Sequence, residues 1–239
     1  MGQKQLAVSR TSWVPRTLHE FQQMIESALL LDLPYDEGNR TDFSADAQKQ
    51  ATPASVLILF GNSTGSSIET SGGSLGFSPS LLFTRRSETV ETHKGQIAFP
   101  GGLCEKGDCE DPAITALRET EEEVGIPRTE IRVIGELPPL LTATRFVIRP
   151  IVGILIQAVE MVELRLSPAE TAEAMWIPLE ILFNPNTYRS ELFDVGTRQY
   201  PIDVFQVDHY RIWGATGTMT KNLLDRIQKT AQGQSGSYR

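Results

Sequence analysis

Cysteine and histidine are scarce in this chain. Two cysteines and three histidines occur among 239 residues, too few for the disulfide framework that holds many small secreted domains together. Cys104 and Cys109 are five residues apart, and neither their count nor their spacing indicates such a framework. We therefore expect two reduced thiols in a cytoplasmic protein.

Long apolar runs and an excess of positive charge are also missing. No apolar stretch approaches the roughly twenty residues that span a membrane. The net charge of −8 argues against non-specific binding to nucleic acid. We therefore expect a soluble protein with no membrane or nucleic-acid partner. A hydrophobic content of 40% over 239 residues permits one large core, and the composition is compatible with a homodimer.

Much of the chain alternates between strand-like and helix-like patterns. Thr17 and Glu20 form a capping-box pattern ahead of apolar residues, which predicts an amphipathic helix over residues 18–31. Residues 36–51 are polar, and residues 61–80 are rich in glycine, serine and threonine, so both are interpreted as loops. Strands are predicted at 55–60, 81–84, 96–99, 131–137, 147–159 and 174–177, and further helices at 112–124, 179–183 and 218–229. Mixed strands with a few helices favour an α/β sandwich.

The helix at 112–124 has clear start and stop signals. Asp111 is a preferred N-cap residue, and Pro112 suits the first helical position because its missing N–H would be unpaired there. Gly125 is a natural terminator. Ala113, Ile114, Ala116, Leu117 and Val124 form an apolar stripe, so one face of this helix is expected to pack on the core.

Carboxylates cluster on the other face of the same helix. Glu119, Glu122 and Glu123 stand at i, i+3 and i+4, and therefore project from neighbouring positions on one side. Like charges at this spacing cost about 0.2–0.5 kcal/mol per pair on an exposed helix, a cost that a bound cation would reverse. Hard oxygen ligands without a suitable histidine or cysteine pair favour Mg²⁺ or Mn²⁺ over zinc. The alternative is a solvated acidic stripe.

Two adjacent glycines, Gly101 and Gly102, precede this helix. They follow a short predicted strand and are typical of a turn. Without β-carbons, both residues can adopt positive φ and let a phosphate or a metal approach the backbone. A plain turn is the simpler interpretation, and the position just ahead of an acidic helix favours the functional one.

These residues resemble the Nudix hydrolase family. The family carries a box written G-x5-E-x7-R-E-U-x-E-E-x-G-U, in which U is a bulky apolar residue. Glu110 stands at the expected spacing, whereas Cys104 replaces the first glycine and Thr120 replaces an apolar residue. The matching positions are Arg118, Glu119, Glu122, Glu123, Gly125 and Ile126.

Upstream segments are similar to the coenzyme A pyrophosphatase branch of that family. They are LLFTRRS at 81–87, HKGQ at 93–96 and FPGG at 99–102. The resemblance covers roughly residues 55–227 and implies a Nudix-type α/β/α sandwich with a mixed β-sheet and a catalytic loop–helix–loop. It places the Nudix hydrolase domain at 53–230. Outside the resemblance, the local sequence predicts an accessory helix and polar loop at 1–52 and a disordered tail at 231–239.

The resemblance also implies roles for individual residues. Glu119 and Glu123, with Glu122 beside them and the carbonyl of Gly102, would hold the metal. Arg118 would orient a carboxylate, although a plain helical salt bridge to Glu122 is the alternative. The general base would be Glu119 or Glu170. Substrate-binding candidates from the signature are Arg86, Ser87, His93, Lys94 and Gly101.

The implied activity is Mg²⁺- or Mn²⁺-dependent hydrolysis of a small-molecule nucleoside diphosphate derivative. On this reading the substrate is coenzyme A or a thioester of it, and the products are 3′,5′-ADP and 4′-phosphopantetheine or its acyl derivative. Hydrolysis of ADP-ribose or a nucleotide sugar is an alternative within the same class. A third alternative is a Nudix module that binds a nucleotide without catalysis.

Overall fold

A computed structural model describes residues 15, 17–35, 50–63, 77–89, 93–195 and 198–235. The helices are α1 (Leu18–Leu29), α2 (Pro112–Val124), α3 (Leu179–Leu182) and α4 (Gly214–Ser235). The strands are β1 (Thr52–Ser63), β2 (Ser78–Arg86), β3 (Ile97–Ala98), β4 (Gly101–Leu103), β5 (Ile131–Glu136), β6 (Leu140–Leu141), β7 (Phe146–Ala158), β8 (Thr171–Pro178), β9 (Tyr188–Val195), β10 (Arg198–Val207) and β11 (Tyr210–Ile212). Short 3₁₀ turns lie at Arg128–Glu130 and Val159–Met161.

The main sheet is mixed. Its central path runs β3-β2-β1-β7-β5, with β4 paired to β1, β6 to β7 and β8 to β2. The long strands β1 and β7 are parallel, and the other pairs are antiparallel. Strands β9, β10 and β11 form a second, antiparallel sheet. The mixed α/β architecture predicted from the sequence is therefore confirmed.

Side chains on both faces of the main sheet are buried. Along β1, Leu57 and Leu59 join the cluster that packs against Ala116 and Val124 of α2. Their neighbours in β1 and β2 point the other way and pack with α1 and α4, because successive strand residues face opposite sides of a sheet. Two apolar clusters thus separate three layers, with the sheet in the middle. Strands buried on both faces show little polar alternation, which is why β1 reads as a continuous apolar run.

The second sheet joins the main sheet through a polar contact. The Tyr210 hydroxyl donates to the carboxylate of Glu173, which also accepts from Arg85 Nε at 3.1 Å. The hydrogen bond from Tyr210, together with the charge of Arg85, holds the pKa of Glu173 below its ordinary value although burial acts in the opposite direction. This contact fixes the small sheet against β2 and β8, on the face of the main sheet opposite α2.

Helix α1 belongs to the same core as the strands. The Thr17 side chain accepts from Glu20 N–H at 3.1 Å, as the capping-box pattern predicts. Phe21 is buried against Phe60 of β1, with ring centroids 5.0 Å apart. At the other end of the helix, the buried guanidinium of Arg226 donates to the backbone carbonyls of Ala28, Leu29, Leu31 and Leu33. Helix α4 therefore caps the C-terminal end of α1.

Several predicted boundaries need correction. Helix α1 ends at Leu29 rather than at residue 31. Helix α4 begins at Gly214 and extends to Ser235, so residues 231–235 are helical and the predicted disordered tail begins too early. Its first turns are rich in glycine and threonine, which are poor helix formers, and this composition hid the start of the helix. Most of the two predicted loops, 36–49 and 64–76, lies outside the described residues. Among the described helices, none is long and apolar enough to cross a membrane.

Candidate active site

Helix α2 presents the acidic cluster, and both of its ends are fixed by local chemistry. The Asp111 side chain accepts from Ala113 N–H at 2.9 Å, and Pro112 occupies the first turn. Gly125 ends the helix with φ 74°, a left-handed conformation that glycine adopts without strain. The predicted bounds are confirmed. This fixed frame aims the carboxylates of Glu119 and Glu123 towards the sheet.

Glu123 is buried in the interface between α2 and the sheet. Its exposed fraction is 4%. Burial raises the pKa of this carboxyl to about 8, the positive charge of Arg86 opposes the shift, and the charges of Glu119 and Glu170 add to it. A hydrogen bond from the backbone of Gly101 acts in the same direction as Arg86. The ionised form of Glu123 is therefore costly here unless a further positive charge lies beside it.

The double glycine brings the backbone of β4 against β1 and α2. Gly101 has φ 154°, and a Cβ there would lie 2.3 Å from the carbonyl oxygen of Ser55. A Cβ on Gly102 would lie 2.5 Å from the carboxylate of Glu119. Position 101 therefore requires glycine, whereas glycine at position 102 leaves room for the Glu119 carboxylate. The expected closeness of Gly102 to the acidic cluster is present, and its role as a carbonyl ligand stays a prediction.

Arg118 links the acidic cluster to the loop that precedes α2. Nη2 lies 2.9 Å from Glu119 Oε1, Nη1 lies 3.1 Å from Glu122 Oε2, and Nε lies 3.0 Å from Asp108 Oδ2. Nη2 also donates to the carbonyl of Leu103 at 3.2 Å. Burial acts to lower the pKa of Arg118, but these carboxylates raise it above its ordinary value. Arg118 makes the predicted helical salt bridge to Glu122 and, in addition, holds Glu119.

Glu170 lies at the start of β8, next to the end of β2. Its carbonyl accepts from Ser87 N–H at 2.8 Å. Its charge acts to raise the pKa of both Glu119 and Glu123, which places the carboxylate near the acidic cluster although the residue is exposed. The structure therefore brings this late carboxylate to the same end of the sheet. Its role as a general base stays a prediction.

The predicted substrate-binding residues lie at the end of β2, just before β3 and at the start of β4. Arg86 is the last residue of β2, and its buried Nε has no hydrogen-bond partner among the described residues. Ser87 is buried, and its hydroxyl lies 2.8 Å from that of Thr89. His93 has φ 57°, and its Nδ1 lies 3.0 Å from Gln96 Oε1, while Lys94 is exposed. Arg86 through its charge and Gly101 through its backbone both act on Glu123, and the roles of the other three residues stay predictions.

The cluster fits a divalent cation by its chemistry. It combines two carboxylates at the buried side of α2 with a backbone stretch that lacks β-carbons. Among the described residues, no three of the predicted carboxylates have oxygens within 4.8 Å of one another. Glu122 in particular is 54% exposed and is held by Arg118. Glu119 and Glu123 are therefore the pair best placed to hold a hard cation, and Glu122 lies at the rim.

Comparison with known proteins decides the family. The family model described as NUDIX domain matches residues 72–195, which is more than half of the chain. This protein is a Nudix family member. Curated relatives agree: an uncharacterized Nudix hydrolase NudL of Photorhabdus laumondii is 38% identical over 63% of this chain and 78% of its own. The NudL of Pectobacterium atrosepticum is 40% identical over 62% of this chain and 76% of its own.

Solved structures with a related fold are more distant. A MutT/nudix family protein from Enterococcus faecalis is 13% identical, covers 89% of this chain and 70% of its own, and gives a TM-score of 0.46. An Ap4A hydrolase of C. elegans in a binary complex is 18% identical over 54% of this chain and 81% of its own, with a TM-score of 0.41. The family assignment makes this protein a Nudix hydrolase that acts on pyrophosphate bonds. Nudix hydrolases generally need divalent metal ions.

One departure from the Nudix box leaves no polar group unpaired. Thr120 stands where the box has an apolar residue, and it is fully buried. Its hydroxyl donates to the carbonyl of Ala116 at 2.7 Å. The cost of this departure is therefore limited to the loss of apolar surface.

The expectation of two reduced thiols is wrong for this Nudix hydrolase. Cys104 and Cys109 form a disulfide in the loop between β4 and α2, with Cα atoms 5.0 Å apart. The cause is a tight turn between them: Asp108 N–H donates to the carbonyl of Glu105, and Glu105 N–H donates to the side chain of Asp108. Sequence spacing alone does not reveal a turn that folds back in this way.

Proposed function

We propose that this Nudix hydrolase cleaves the diphosphate of coenzyme A or of its thioesters. The products are 3′,5′-ADP and 4′-phosphopantetheine or its acyl derivative. The observation that carries the proposal is the position of Arg86. It belongs to the first signature segment of the coenzyme A branch, its charge acts on the carboxyl of Glu123, and its buried Nε has no partner among the described residues. An unpaired guanidinium N–H beside a metal cluster suits a phosphate oxygen.

The proposed cation site consists of Glu119 and Glu123, with Glu122 at the rim and the carbonyl of Gly102 as a further ligand. When bound there, Mg²⁺ or Mn²⁺ neutralises charge on the phosphoryl oxygens and lowers the pKa of an attacking water. Arg118 keeps the carboxylate of Glu119 against Gly102 by its contact at 2.9 Å. Gly101 and Gly102 let β4 pack directly against Ser55 of β1 and against the Glu119 carboxylate, so the backbone of Gly102 lies beside the proposed cation site.

Two carboxylates are candidates for the general base. Glu119 lies within the cluster and is held by Arg118, which restricts its reach. Glu170 is exposed at the mouth of the site and free of such an ion pair among the described residues, so its carboxylate can turn towards a water on the diphosphate. We propose Glu170 as the base, with Glu119 kept as a ligand. A Glu170→Gln variant that binds the cation normally but turns over at least a hundredfold more slowly would support this division, and full activity would return the role to Glu119.

Product identification by mass spectrometry tests the substrate. The protein is incubated with Mg²⁺ or Mn²⁺ and a mixture of coenzyme A, ADP-ribose and a nucleotide sugar. Appearance of 3′,5′-ADP with 4′-phosphopantetheine supports the proposal. AMP from ADP-ribose alone would assign the protein to the nucleotide-sugar branch. No cleavage of any of the three with either metal, together with a thermal shift on adding coenzyme A, would indicate a binding module without catalysis.

Two further features accompany the proposal. We infer that residues 53–230 are the catalytic unit and that α1 stabilises it by adding to the core on the face of the sheet opposite α2. A cytoplasmic location suits a soluble coenzyme substrate, and cell fractionation tests it. Mg²⁺ or Mn²⁺ as the working ion is tested by activity after removal of metal with a chelator and readdition of one ion at a time.

A further inference from the structure

The disulfide Cys104–Cys109 lies in the loop that holds Arg118. Strand β4 ends at Leu103, whose carbonyl accepts from Arg118, and the disulfide begins at the next residue. Within the ring that the disulfide closes, Asp108 makes the ion pair at 3.0 Å with Arg118. Two of the groups that orient Arg118 are therefore part of the ring or adjacent to it.

From Arg118 the contact continues to the acidic cluster. The same guanidinium lies 2.9 Å from Glu119 and 3.1 Å from Glu122. A change in the shape of the loop alters the position of Arg118, and Arg118 in turn holds the carboxylate of Glu119 beside Gly102. The path from the sulfur atoms to the cluster consists of covalent bonds and two ion pairs.

The turn is held by hydrogen bonds as well as by the disulfide. Cys104 N–H donates to the carbonyl of Pro53 in β1, and hydrogen bonds between Glu105 and Asp108 close the turn. After reduction these bonds alone hold the loop, so we expect it to open more often while still bringing the two cysteines together. Thiols held in this way reoxidise readily, because part of the chain entropy lost on closing the ring is already lost in the turn.

The sulfur atoms are accessible to a reductant from solvent. Cys109 is exposed and Cys104 is partly exposed. Acidic residues dominate the neighbourhood, with Lys106 the one basic residue between the two cysteines. This charge disfavours approach of an anionic thiol such as glutathione and favours a neutral dithiol.

We propose that Cys104–Cys109 is a reversible redox site that controls how firmly the loop before α2 holds Arg118. A thiolate of a dithiol reductant attacks Cys109 Sγ, the S–S bond breaks, and Cys104 leaves as a thiolate. The second thiolate of the reductant then attacks the mixed disulfide, which releases Cys109 and leaves the reductant as its own disulfide. The two cysteine thiolates take up two protons from solvent, and two electrons pass from the reductant to the pair.

A metal site at the same place fits the structure less well. Cys104, Cys109 and Asp108 do place a possible ligand atom each within 4.8 Å of one another. The sulfur atoms are bonded to each other, however, and the carboxylate of Asp108 already accepts from Arg118 and from Glu105 N–H. Hydrogen bonding of this kind, with the charge of Arg118, holds the pKa of Asp108 below its ordinary value although burial opposes it.

The first measurement is the state of the thiols. The full chain is alkylated with iodoacetamide before and after treatment with dithiothreitol, and the modified peptides are counted by mass spectrometry. The proposal expects no alkylation of Cys104 and Cys109 in the air-oxidised protein, alkylation of both after reduction, and recovery of the disulfide on removal of the reductant. Persistently free thiols under air would overturn it.

The second measurement is the effect of reduction on turnover. Its activity readout, and nothing else in it, rests on the proposed function. Reduction is expected to lower kcat by about two- to thirtyfold, the range for changes along a coupled network, with KM nearly unchanged. The chain has no other cysteines, so a double variant Cys104→Ser, Cys109→Ser is the matched control: its kcat should equal that of the reduced protein and should not respond to dithiothreitol. Equal kcat in the oxidised and reduced wild type would overturn the proposal.

Two more experiments separate this proposal from the function itself. If the loop acts through Asp108 and Arg118, Asp108→Asn lowers kcat and leaves little further effect of reduction; a full redox effect in that variant would contradict the path. If no substrate is cleaved at all, hydrogen exchange of the amides of Glu105 and Asp108 still tests whether reduction loosens the loop. The proposal requires faster exchange of these amides after reduction. Unchanged exchange would overturn it independently of any activity.

Discussion

The carboxylate of Glu119 occupies the space that a side chain at Gly102 would fill. A Cβ built on Gly102 would lie 2.5 to 2.6 Å from three atoms of that carboxylate group. These distances are shorter than real contacts allow. The glycine in β4 and the glutamate in α2 thus fit each other across seventeen residues of sequence, and the fit determines where a cation could sit.

Gly102→Ala therefore displaces Glu119 rather than the backbone, because a side-chain end moves more easily than a paired strand. We expect kcat to fall by about tenfold to a hundredfold, since a misplacement of about 1 Å costs that much at a reacting centre. The free energy of unfolding should change little. The matched control is Gly233→Ala in α4, where a Cβ meets nothing within 4 Å; it should keep full activity. Wild-type activity in Gly102→Ala would show that the contact has no role in catalysis.

Glu123→Gln removes the buried carboxylate while keeping its shape. Turnover should fall by at least about a hundredfold, because a neutral amide is a poor ligand for a hard cation. The metal-free variant should be at least as stable as the metal-free wild type, since the desolvated charge is gone. The control is Glu121→Gln, because the Glu121 carboxylate pairs with Arg128 at the surface. This variant should lower the free energy of unfolding by less than about 1 kcal/mol and keep full activity. Half of the wild-type rate in Glu123→Gln would rule out this residue as a ligand.

Cation binding should depend on pH through Glu123. Without metal, burial raises the pKa of this carboxyl from 4.5 to about 8, so the cation must displace a proton below that pH. Apparent affinity for Mg²⁺ should therefore rise about tenfold per pH unit between pH 6 and 7 and level off above pH 8. Isothermal titration in buffers with different ionisation enthalpies would measure the proton released. An affinity independent of pH over this interval would contradict the prediction.

The same shift predicts how the stability of the metal-free protein depends on pH. The folded pKa of Glu123 lies above the unfolded one, so the folded state binds the proton more tightly. The resulting stabilisation is fully present below pH 4.5 and is lost as pH rises through about 8. Thermal unfolding in a chelator should show this decline, and Glu123→Gln, compared in the same series, should remove this component. If the stability of Glu123→Gln depends on pH as that of the wild type does, titratable groups other than Glu123 cause the decline.

Arg226→Met tests the cap on α1. Methionine fills similar space but removes the guanidinium that donates to the carbonyls of Ala28, Leu29, Leu31 and Leu33. Ala28 keeps the Leu31 N–H and Leu33 keeps Asn222 Nδ2 as donors. We expect a loss of about 2–4 kcal/mol in the free energy of unfolding, measured with urea, and normal turnover by the folded fraction. Arg165→Met is the control, because Arg165 pairs with Glu163 at the exposed surface. Equal stability of the two variants would show that the buried hydrogen bonds contribute little.

Local signals explain why α2 could be predicted to the residue. Asp111 and Gly125 act on their own backbone neighbours, so their effect can be read without knowledge of the rest of the fold. The hairpin of β9 and β10 gives no such signal. Its pairs, such as Tyr188 with Phe205, form across the hairpin, and its outer residues Leu192 and Phe193 are apolar and exposed, which blurs the alternation of a strand.

The site was predictable in part for the same reason. Glu119 and Glu123 share one face of a helix, and helical geometry alone predicts that they lie together. Arg86 in β2 and Glu123 in α2 belong to different elements. Their interaction follows from the folded structure and cannot be predicted from either local sequence. The disulfide depends on a turn anchored by Pro53 in a strand fifty residues earlier. Contacts between distant segments are set by tertiary structure, and no local pattern encodes them.

The cap on α1 also has a consequence for synthesis. The ribosome releases Phe21 and its helix long before Arg226, which follows Leu31 by 195 residues. Until α4 has emerged, the carbonyls of Leu29, Leu31 and Leu33 lack the donors that α4 supplies, and the apolar face of the helix lacks part of its final neighbours. A nascent chain therefore carries an unfinished N-terminal helix through most of its translation, and it becomes a target for chaperones during that time.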